Sequence, residues 1–528
     1  MNNRREALEL AARAKALVAQ STIAPALGQL VQALELAPEI DALWAQFAEV
    51  IRFFNFREPL DRRLRALLER GLEHPAVDPG DLVRPISSLA LSRAGEEVLA
   101  DSLLLQLMRD AVLRDPRLHE RLSAARREAL ERRSLPIDAL CALAHQCFNT
   151  EYLWDETPAE SERVPALNVS PTDMYACALY AAYRPLHTAG NAQELAQALV
   201  STPLAALAQR QIVEPLMERR LAASIASLGD VGDPVSAAVR AQYEENPYPR
   251  WLRMQTIFDP ASLATIVREL FPAAEVPAAN DAQARILVAG CGTGQNAIAC
   301  ARRFANVSVL ALDLSRASLG YAKRKTDALG ITNIAFRHAD ILALRALGER
   351  FDLVEASGVL HHMADPLAGW SVLSQLVKPG GFMRIGLYSE RGRRAIVHAR
   401  DLIAREGFEA TPAGIRRCRA AILAATGDEL LASVVRNEDF YSLSGCRDLL
   451  FHVQEHRFRL PQIAAMLAEL RLQFLGFEFP DSGISAARYR ARFPDDHALA
   501  DLANWDRFEE ANPDTFARMY QFWVRKPG

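Results

Sequence analysis

No stretch of about 18 uncharged apolar residues, the least a membrane-spanning helix needs, occurs in this chain, and no unbroken apolar core follows its start at Met1-Asn2-Asn3-Arg4-Arg5. The pattern predicts neither a membrane span nor a secretory leader, and it points to a soluble, cytoplasmic protein. Paired cysteines are missing too. The seven that occur, at 141, 147, 177, 291, 300, 418 and 446, are odd in number, scattered, and never spaced CxxC. Neither a disulfide framework nor a metal site is expected from them. Charge of one sign is also lacking: 61 Lys and Arg face 65 Asp and Glu, a net of -4. Nucleic acid is therefore not an expected partner, although a local basic patch would escape this count. What remains is a globular balance, 50% hydrophobic and 24% charged, over 528 residues. Such a length calls for roughly two to four domains.

The chain changes character along its length. Residues 1–230 are rich in Ala, Leu, Arg and Glu with apolar residues at helical spacing, and they predict an all-α interaction domain. The phrase ending at Pro38, followed by Ala42 to Ala48, resembles a tetratricopeptide-type boundary between two helices. A similar phrase ends at Pro116, 78 residues on, which is no whole number of 34-residue periods, so an irregular helical domain competes with a true repeat. Residues 231–280 read as an aromatic and proline-rich linker with a helix leading into the second half, after a break at Asp230-Val-Gly-Asp-Pro234. Within Gln242-Tyr-Glu-Glu-Asn-Pro-Tyr-Pro-Arg-Trp251 the prolines bar helix. Tyr243, Tyr248 and Trp251 are candidates for a rigid flap that touches substrate, or for glue between domains.

Residues 281–528 alternate strand and helix. Strands are expected at 286–289, 307–312, 334–337, 352–356 and 382–387, two more at 472–479 and 519–524, and a long helical insertion at about 390–460. This alternation predicts an α/β fold with a parallel, doubly wound sheet and ligands at the carboxyl ends of its strands. The first strand breaks into Gly290-Cys291-Gly292-Thr293-Gly294, where backbone must approach a ligand more closely than a Cβ permits. The helix after it offers free N–H groups to an anionic group. Asp313 ends the second strand 19 residues beyond Gly294, where a carboxylate can accept from ribose hydroxyls or cap the next helix ahead of Ser315.

The glycine loop, Asp313, Ala339-Asp340-Ile341, Gly358-Val-Leu-His-His-Met-Ala-Asp365 and Lys378-Pro-Gly-Gly381 together resemble class I S-adenosylmethionine-dependent methyltransferases, over roughly residues 283 to 388. The resemblance implies a seven-stranded Rossmann-like domain behind the all-α one, with S-adenosyl-L-methionine as cofactor. It would place Gly290, Gly292 and Gly294 at the methionine part, Asp313 at the ribose, Asp340 at the adenine amino group and Ile341 against the ring, with Leu314 a further cofactor contact. One departure stands out. Many relatives carry an acidic residue where this chain has Val288, so the methionine ammonium must find loop carbonyls or the side chains of Gln295 and Asn296. A nicotinamide oxidoreductase would want a glycine where Gln295 stands.

Methyl transfer needs in-line positioning and, for a protonated nucleophile, one base. His361 and His362 are the candidates for that base, or for loop packing and cofactor contact. Glu355 within the fourth strand is a candidate cofactor contact and Tyr388 after the fifth a candidate substrate contact, with core packing as the alternative for each. Arg391, Arg393 and Arg394, with Arg416, Arg417 and Arg419, would recognise an acidic acceptor or form solvated helix faces. His452 and His456 with Glu455 lack a defined third metal ligand. The expected function is methyl transfer to a peptide or protein recruited partly by the helical domain. The alternatives are a small-molecule acceptor with the helical domain serving assembly, in a homo-oligomer for instance, or a helical scaffold with a vestigial cofactor domain.

Overall fold

The computed structural model describes residues 2–57, 60–93, 95–229, 231–255, 259–276, 283–479, 483–517 and 519–528. The break expected at Asp230 and the last part of the expected linker, residues 277–280, lie outside the described residues. Two compact units form: Met1–Leu216 with Trp251–Phe258 and Tyr441–Leu443, and Met217–Arg250 with Asp259–Phe440 and Ser444–Gly528.

In the first unit every described element is helical. Several of its helices begin where short polar side chains take up free backbone N–H groups: Asp61 accepts from Leu64, Asp101 from Leu103, and Asp115 from Arg117 with Pro116 at the first turn. Helix Ile137–Asn149 is buried from Ala139 to Asn149 and lies within the core. The opening helices run 18, 14, 11, 12 and 9 residues, an irregular series.

The second unit is built on one sheet of β1 (Ser227–Leu228), β2 (Ala284–Ala289), β3 (Val307–Asp313), β4 (Ile334–Ala339), β5 (Phe351–Ser357), β6 (Val377–Leu387), β7 (Gln473–Phe477) and β8 (Tyr520–Arg525). Their order is β1-β4-β3-β2-β5-β6-β8-β7. The order reverses between β2 and β5, and that switch point is where a doubly wound sheet opens a crevice for ligand. Two expectations are corrected. The sheet is parallel only through β6, because β8 runs antiparallel to both β6 and β7; and a two-residue strand, β1, joins β4 at the edge, too short to leave any alternation in the sequence.

Both faces of the central strands are covered, so these strands read as apolar runs. Leu287, Ala289, Val354 and Ala356 face a core with Trp370 and Phe522, while Ile286, Val288 and Leu353 face Ala297, Cys300 and Phe382. The region 390–460 holds helices Arg394–Glu406, Pro412–Ala424, Glu429–Val435 and Leu443–Phe451. Helix Pro234–Glu245, capped by Asp233, runs further than the proline rule suggested and takes in Tyr243. The bar on helix begins only at Asn246, ahead of Pro247.

Candidate functional site

The loop after β2 turns through Gly290, Gly292 and Gly294 at φ of 71°, 51° and 85° and delivers the chain into helix Gln295–Arg303. It is tied to β3 at two points. Cys291 N donates to Leu312 O at 2.8 Å, and Gly292 N donates to Asp313 Oδ2 at 2.7 Å. The other carboxylate oxygen, Oδ1, accepts from Ser315 N at 2.8 Å. Helix Arg316–Ala328 is capped by Ser315, not by Asp313, so the aspartate is left to couple two loops. Burial pushes the Asp313 carboxyl up to about 6, with the Ser315 and Gly292 N–H groups pulling the other way.

Gly292 has a use that the sequence did not disclose. A Cβ there would lie 2.6 Å from the Tyr248 carbonyl oxygen, and Thr293 Oγ1 donates to the Pro249 carbonyl. The chain's own segment, rather than a ligand alone, therefore requires the missing side chain. The same segment is anchored at its start, where Ser315 Oγ donates to Tyr243 O at 3.0 Å.

The residues present fit the cofactor that the sequence resemblance implies. Ser357 Oγ, at the carboxyl end of β5, is buried without a hydrogen-bond partner among the described residues, and the adjoining Val359 packs against Gly290. Asp340, buried after β4, spends Oδ1 on Leu342 N at 2.9 Å, while Oδ2 takes no hydrogen bond among the described residues. Ile341 beside it is buried, Leu314 is partly exposed, and Gln295 has no side-chain hydrogen bond among the described residues.

Glu355 and Asn296 join one hydrogen-bonded network. Glu355 pairs with Val288 in register across β2 and β5, so a carboxylate does stand one strand away from the position where relatives carry one. Arg384 Nη1 meets its Oε1 at 2.5 Å, Asn296 Nδ2 donates to the same oxygen, and Cys300 Sγ lies 2.8 Å from Oε2. The Glu355 charge is already compensated within the unit, which favours the core alternative for this residue. Arg384 also holds Glu478 at 2.7 Å, and Glu478 in turn accepts from Trp523 Nε1 at 3.0 Å.

A second group of side chains gathers past the ends of β5 and β6. His361 is fully buried with its ring 3.9 Å from that of Tyr388, and neither of its nitrogens makes a hydrogen bond of ordinary geometry. Burial first, then His362 and Arg393, hold it well below the usual imidazole range. His362 places Nδ1 2.7 Å from Gln454 O, which fixes the proton on Nδ1 and leaves the lone pair on Nε2. Its pKa falls to about 4, chiefly through burial. The His362 ring stacks on His452 at 3.6 Å and 17°. His452 Nδ1 accepts from Gln454 N at 3.1 Å, so its proton sits on Nε2, 3.1 Å from the Tyr243 hydroxyl. Tyr243 then donates to Asp448 Oδ1 at 2.7 Å, and Tyr248 donates to Asp439 at 3.0 Å.

Ligating atoms of His362, Asp448 and His452 lie within 4.8 Å of one another, yet this arrangement does not suit a metal. Two imidazoles stacked nearly parallel cannot both aim an in-plane lone pair at one ion, and the His452 nitrogen facing the cluster carries the proton.

Four of the arginines find partners among the described residues, and exposed Arg394 suits the helix-face alternative. Arg391 meets Asp506 and Glu509, Arg393 meets Glu455 at 2.5 Å, Arg394 meets Asp514, and Arg419 donates to Phe440 O, so these four are engaged within the unit. Trp251 is buried in the first unit. His145, also in that unit, is pushed down to about 3 by burial. Sequence reasoning missed Arg384, Ser357, Asp439 and Asp448. Asp448 lay inside a phrase noted only for its histidines.

Residues 286–381 match the family described as methyltransferase domain. An uncharacterised protein of Synechococcus sp. is 28% identical over 266 residues, 47% of this chain and 61% of its own length. A ubiquinone biosynthesis O-methyltransferase of Cereibacter sphaeroides is 39% identical over 99 residues, 19% of this chain and 39% of its own length. The chain thus spans less than two thirds of these curated relatives. Among solved structures, PKMT2 from Rickettsia typhi superimposes with a TM-score of 0.38 at 16% identity, covering 51% of this chain and 54% of that one. With the glycine loop, Asp313 and Asp340 at the carboxyl ends of β2, β3 and β4, residues 286–381 form a methyltransferase domain of the class I, S-adenosylmethionine-dependent kind.

Proposed function

We propose that this chain transfers a methyl group from S-adenosylmethionine to an acceptor held between the glycine loop and the Tyr243, Tyr388 and His362 cluster. The observation that supports this most is the methyltransferase-domain match over residues 286–381, which takes in the loop, Asp313 and Asp340 at the sheet's switch point. Gly290, Gly292 and Gly294 would lie against the methionine part, Asp313 and Leu314 at the ribose, and Asp340 with Ile341 at the adenine. Where Val288 offers no carboxylate, the carbonyls that Tyr248 and Pro249 bring onto the loop would take the ammonium. Bound there, S-adenosylmethionine supplies a methyl group on a sulfonium, an electrophile that needs an aligned nucleophile and no metal.

Two acceptor classes have separate support. A peptide or protein suits the helical first unit, since packed helices present extended surfaces. A small molecule suits the relatives named for ubiquinone biosynthesis. Incubation of the full chain with methyl-labelled S-adenosylmethionine and cell extract, followed by size separation, decides between them. Label in the retained protein fraction supports the first, label in the filtrate the second, and no label above a protein-free control contradicts methyl transfer itself.

The Asp313 role carries a pH signature. An ionised carboxylate accepts from ribose hydroxyls, and with its pKa at about 6 the Asp313 anion is complete above pH 7 and is lost as the pH falls through 6. Affinity for S-adenosylhomocysteine, measured by calorimetry, is expected to fall over that range. Asp313→Asn should bind about tenfold or more weakly at neutral pH, with the pH dependence flattened. An unchanged profile in that variant would remove Asp313 from the cofactor's contacts.

A further inference from the structure

Asp448 is a carboxylate with an unfinished environment. It is 4% exposed, and its one hydrogen bond comes from the Tyr243 hydroxyl to Oδ1, leaving Oδ2 without a partner among the described residues. Beside it, within 4.8 Å, stands His362, 5% exposed, whose Nε2 lone pair is equally unclaimed among the described residues. Two acceptors left open side by side in this way point to a group that supplies hydrogen-bond donors.

Most of the donors around them are already spent. Arg393 and Arg400 are both drawn onto Glu455, at 2.5 and 3.5 Å, and the Arg393 guanidinium lies 3.9 Å over the Tyr388 ring. Tyr243 gives its proton to Asp448, Tyr248 gives its own to Asp439, and His452 faces Tyr243 with its one N–H. Among the described residues of this cluster, unclaimed donors remain at the Tyr388 hydroxyl, which can equally accept, at the one N–H of His361 and at Arg400 Nε. A ligand rich in N–H groups and carrying positive charge would meet one anion, one imidazole lone pair and the faces of Tyr243 and Tyr388.

Resting on the methyl-transfer reading above, we infer that the methyl acceptor is a primary or secondary amine, seated with its nitrogen against Asp448 Oδ2 and His362 Nε2. Tyr243 and His452 position Asp448 through their hydrogen bonds. The amine arrives as an ammonium and gives one N–H proton to Asp448. The lone pair so freed forms the N–C bond to the methyl carbon while the C–S bond breaks, its electron pair passing to sulfur. The product leaves as the N-methylated ammonium, and the proton on Asp448 returns to solvent. Burial, with Asp439 and Glu455 as neighbouring negative charges, pushes the Asp448 carboxyl up to about 7, while Tyr243 and Arg393 pull it down, and this is a useful affinity for taking a proton at neutral pH. His362 and His452 are both neutral there, held at about 4 and about 2.

The test supplies the full chain with [methyl-13C]-S-adenosylmethionine and an extract of cells grown on 15N, then separates the mixture by ultrafiltration. The transferred carbon is expected to show one-bond coupling to 15N, in the filtrate if the amine is small and in the retained fraction if it belongs to a peptide. A transferred methyl without nitrogen coupling overturns the amine inference and leaves methyl transfer standing. No transfer above a protein-free control overturns both. Asp448→Asn should lower kcat/KM about 100-fold or more with S-adenosylhomocysteine affinity unchanged, and an unchanged rate would overturn the Asp448 role. Tyr243→Phe keeps the packing but removes the hydrogen bond that lowers the Asp448 pKa, so the acidic limb of the kcat/KM profile should move to higher pH. A limb that stays in place contradicts the positioning role of Tyr243.

Discussion

Replacing Arg384 by alanine is expected to destabilise the centre of the sheet by about 3–5 kcal/mol, because it leaves one carboxylate buried without its counter-charge. Glu355, Arg384 and Trp523 stand side by side in register across β5, β6 and β8. The Glu355 side chain is 2% exposed and that of Arg384 16%, so water can replace little of what the guanidinium provides. Glu478 keeps Arg303 at 3.1 Å and Trp523 at 3.0 Å when Arg384 is lost; Glu355 keeps only Asn296 and Cys300 as donors. Hydrogen–deuterium exchange read strand by strand should show β5 and β6 opening far more readily in Arg384→Ala. The double change Glu355→Leu with Arg384→Met should restore most of the protection, since an apolar pair of similar volume avoids both desolvation penalties. Protection in Arg384→Ala equal to that of the unaltered chain would show that Glu355 is neutralised by another group.

Substituting Gly294 by valine is expected to remove cofactor binding, lowering S-adenosylhomocysteine affinity at least 100-fold, with the sheet intact. The residue sits at φ 85°, where a left-handed backbone costs an ordinary side chain about 1–2 kcal/mol and a β-branched one more. Space compounds the strain. A Cβ at this position would fall 2.6 Å from Ala322 Cβ and 3.1 Å from Ala322 Cα, and the latter belongs to the backbone of helix Arg316–Ala328. The loop must then lift away from that helix, taking with it the N–H of Gly292 that reaches Asp313. Gly294→Ala should show the same defect at smaller size. Calorimetry with S-adenosylhomocysteine separates loss of the loop from loss of the fold, since circular dichroism of Gly294→Val should be unchanged.

Features that depend on neighbours in the chain were legible in the sequence. The glycine loop, the acidic ends of β3 and β4, and the two-faced apolar strands all follow from local spacing, and they are where the spacing put them. Features that depend on register were not. That Glu355 would face Arg384 follows from the alignment of β5 with β6, which no spacing encodes, so the glutamate was read as a cofactor contact. The antiparallel course of β8 is set by its partners β6 and β7, because one strand's residues look alike in either direction. Asp448 meets Tyr243 across 205 residues of sequence. Both were within view, the tyrosine as part of a flap and the aspartate unnoticed between histidines. Only the fold, which sets the insertion over the helix that carries Tyr243, makes them a pair.

The central claim is that the loop of Gly290 to Gly294, with Asp313, holds the methyl-donor cofactor, and calorimetric titration of the full chain with S-adenosylhomocysteine tests it most directly. One equivalent should bind the unaltered chain, more weakly to Asp313→Asn and not measurably to Gly294→Val. Absence of binding to the folded, unaltered chain, or equal binding to all three, would contradict it.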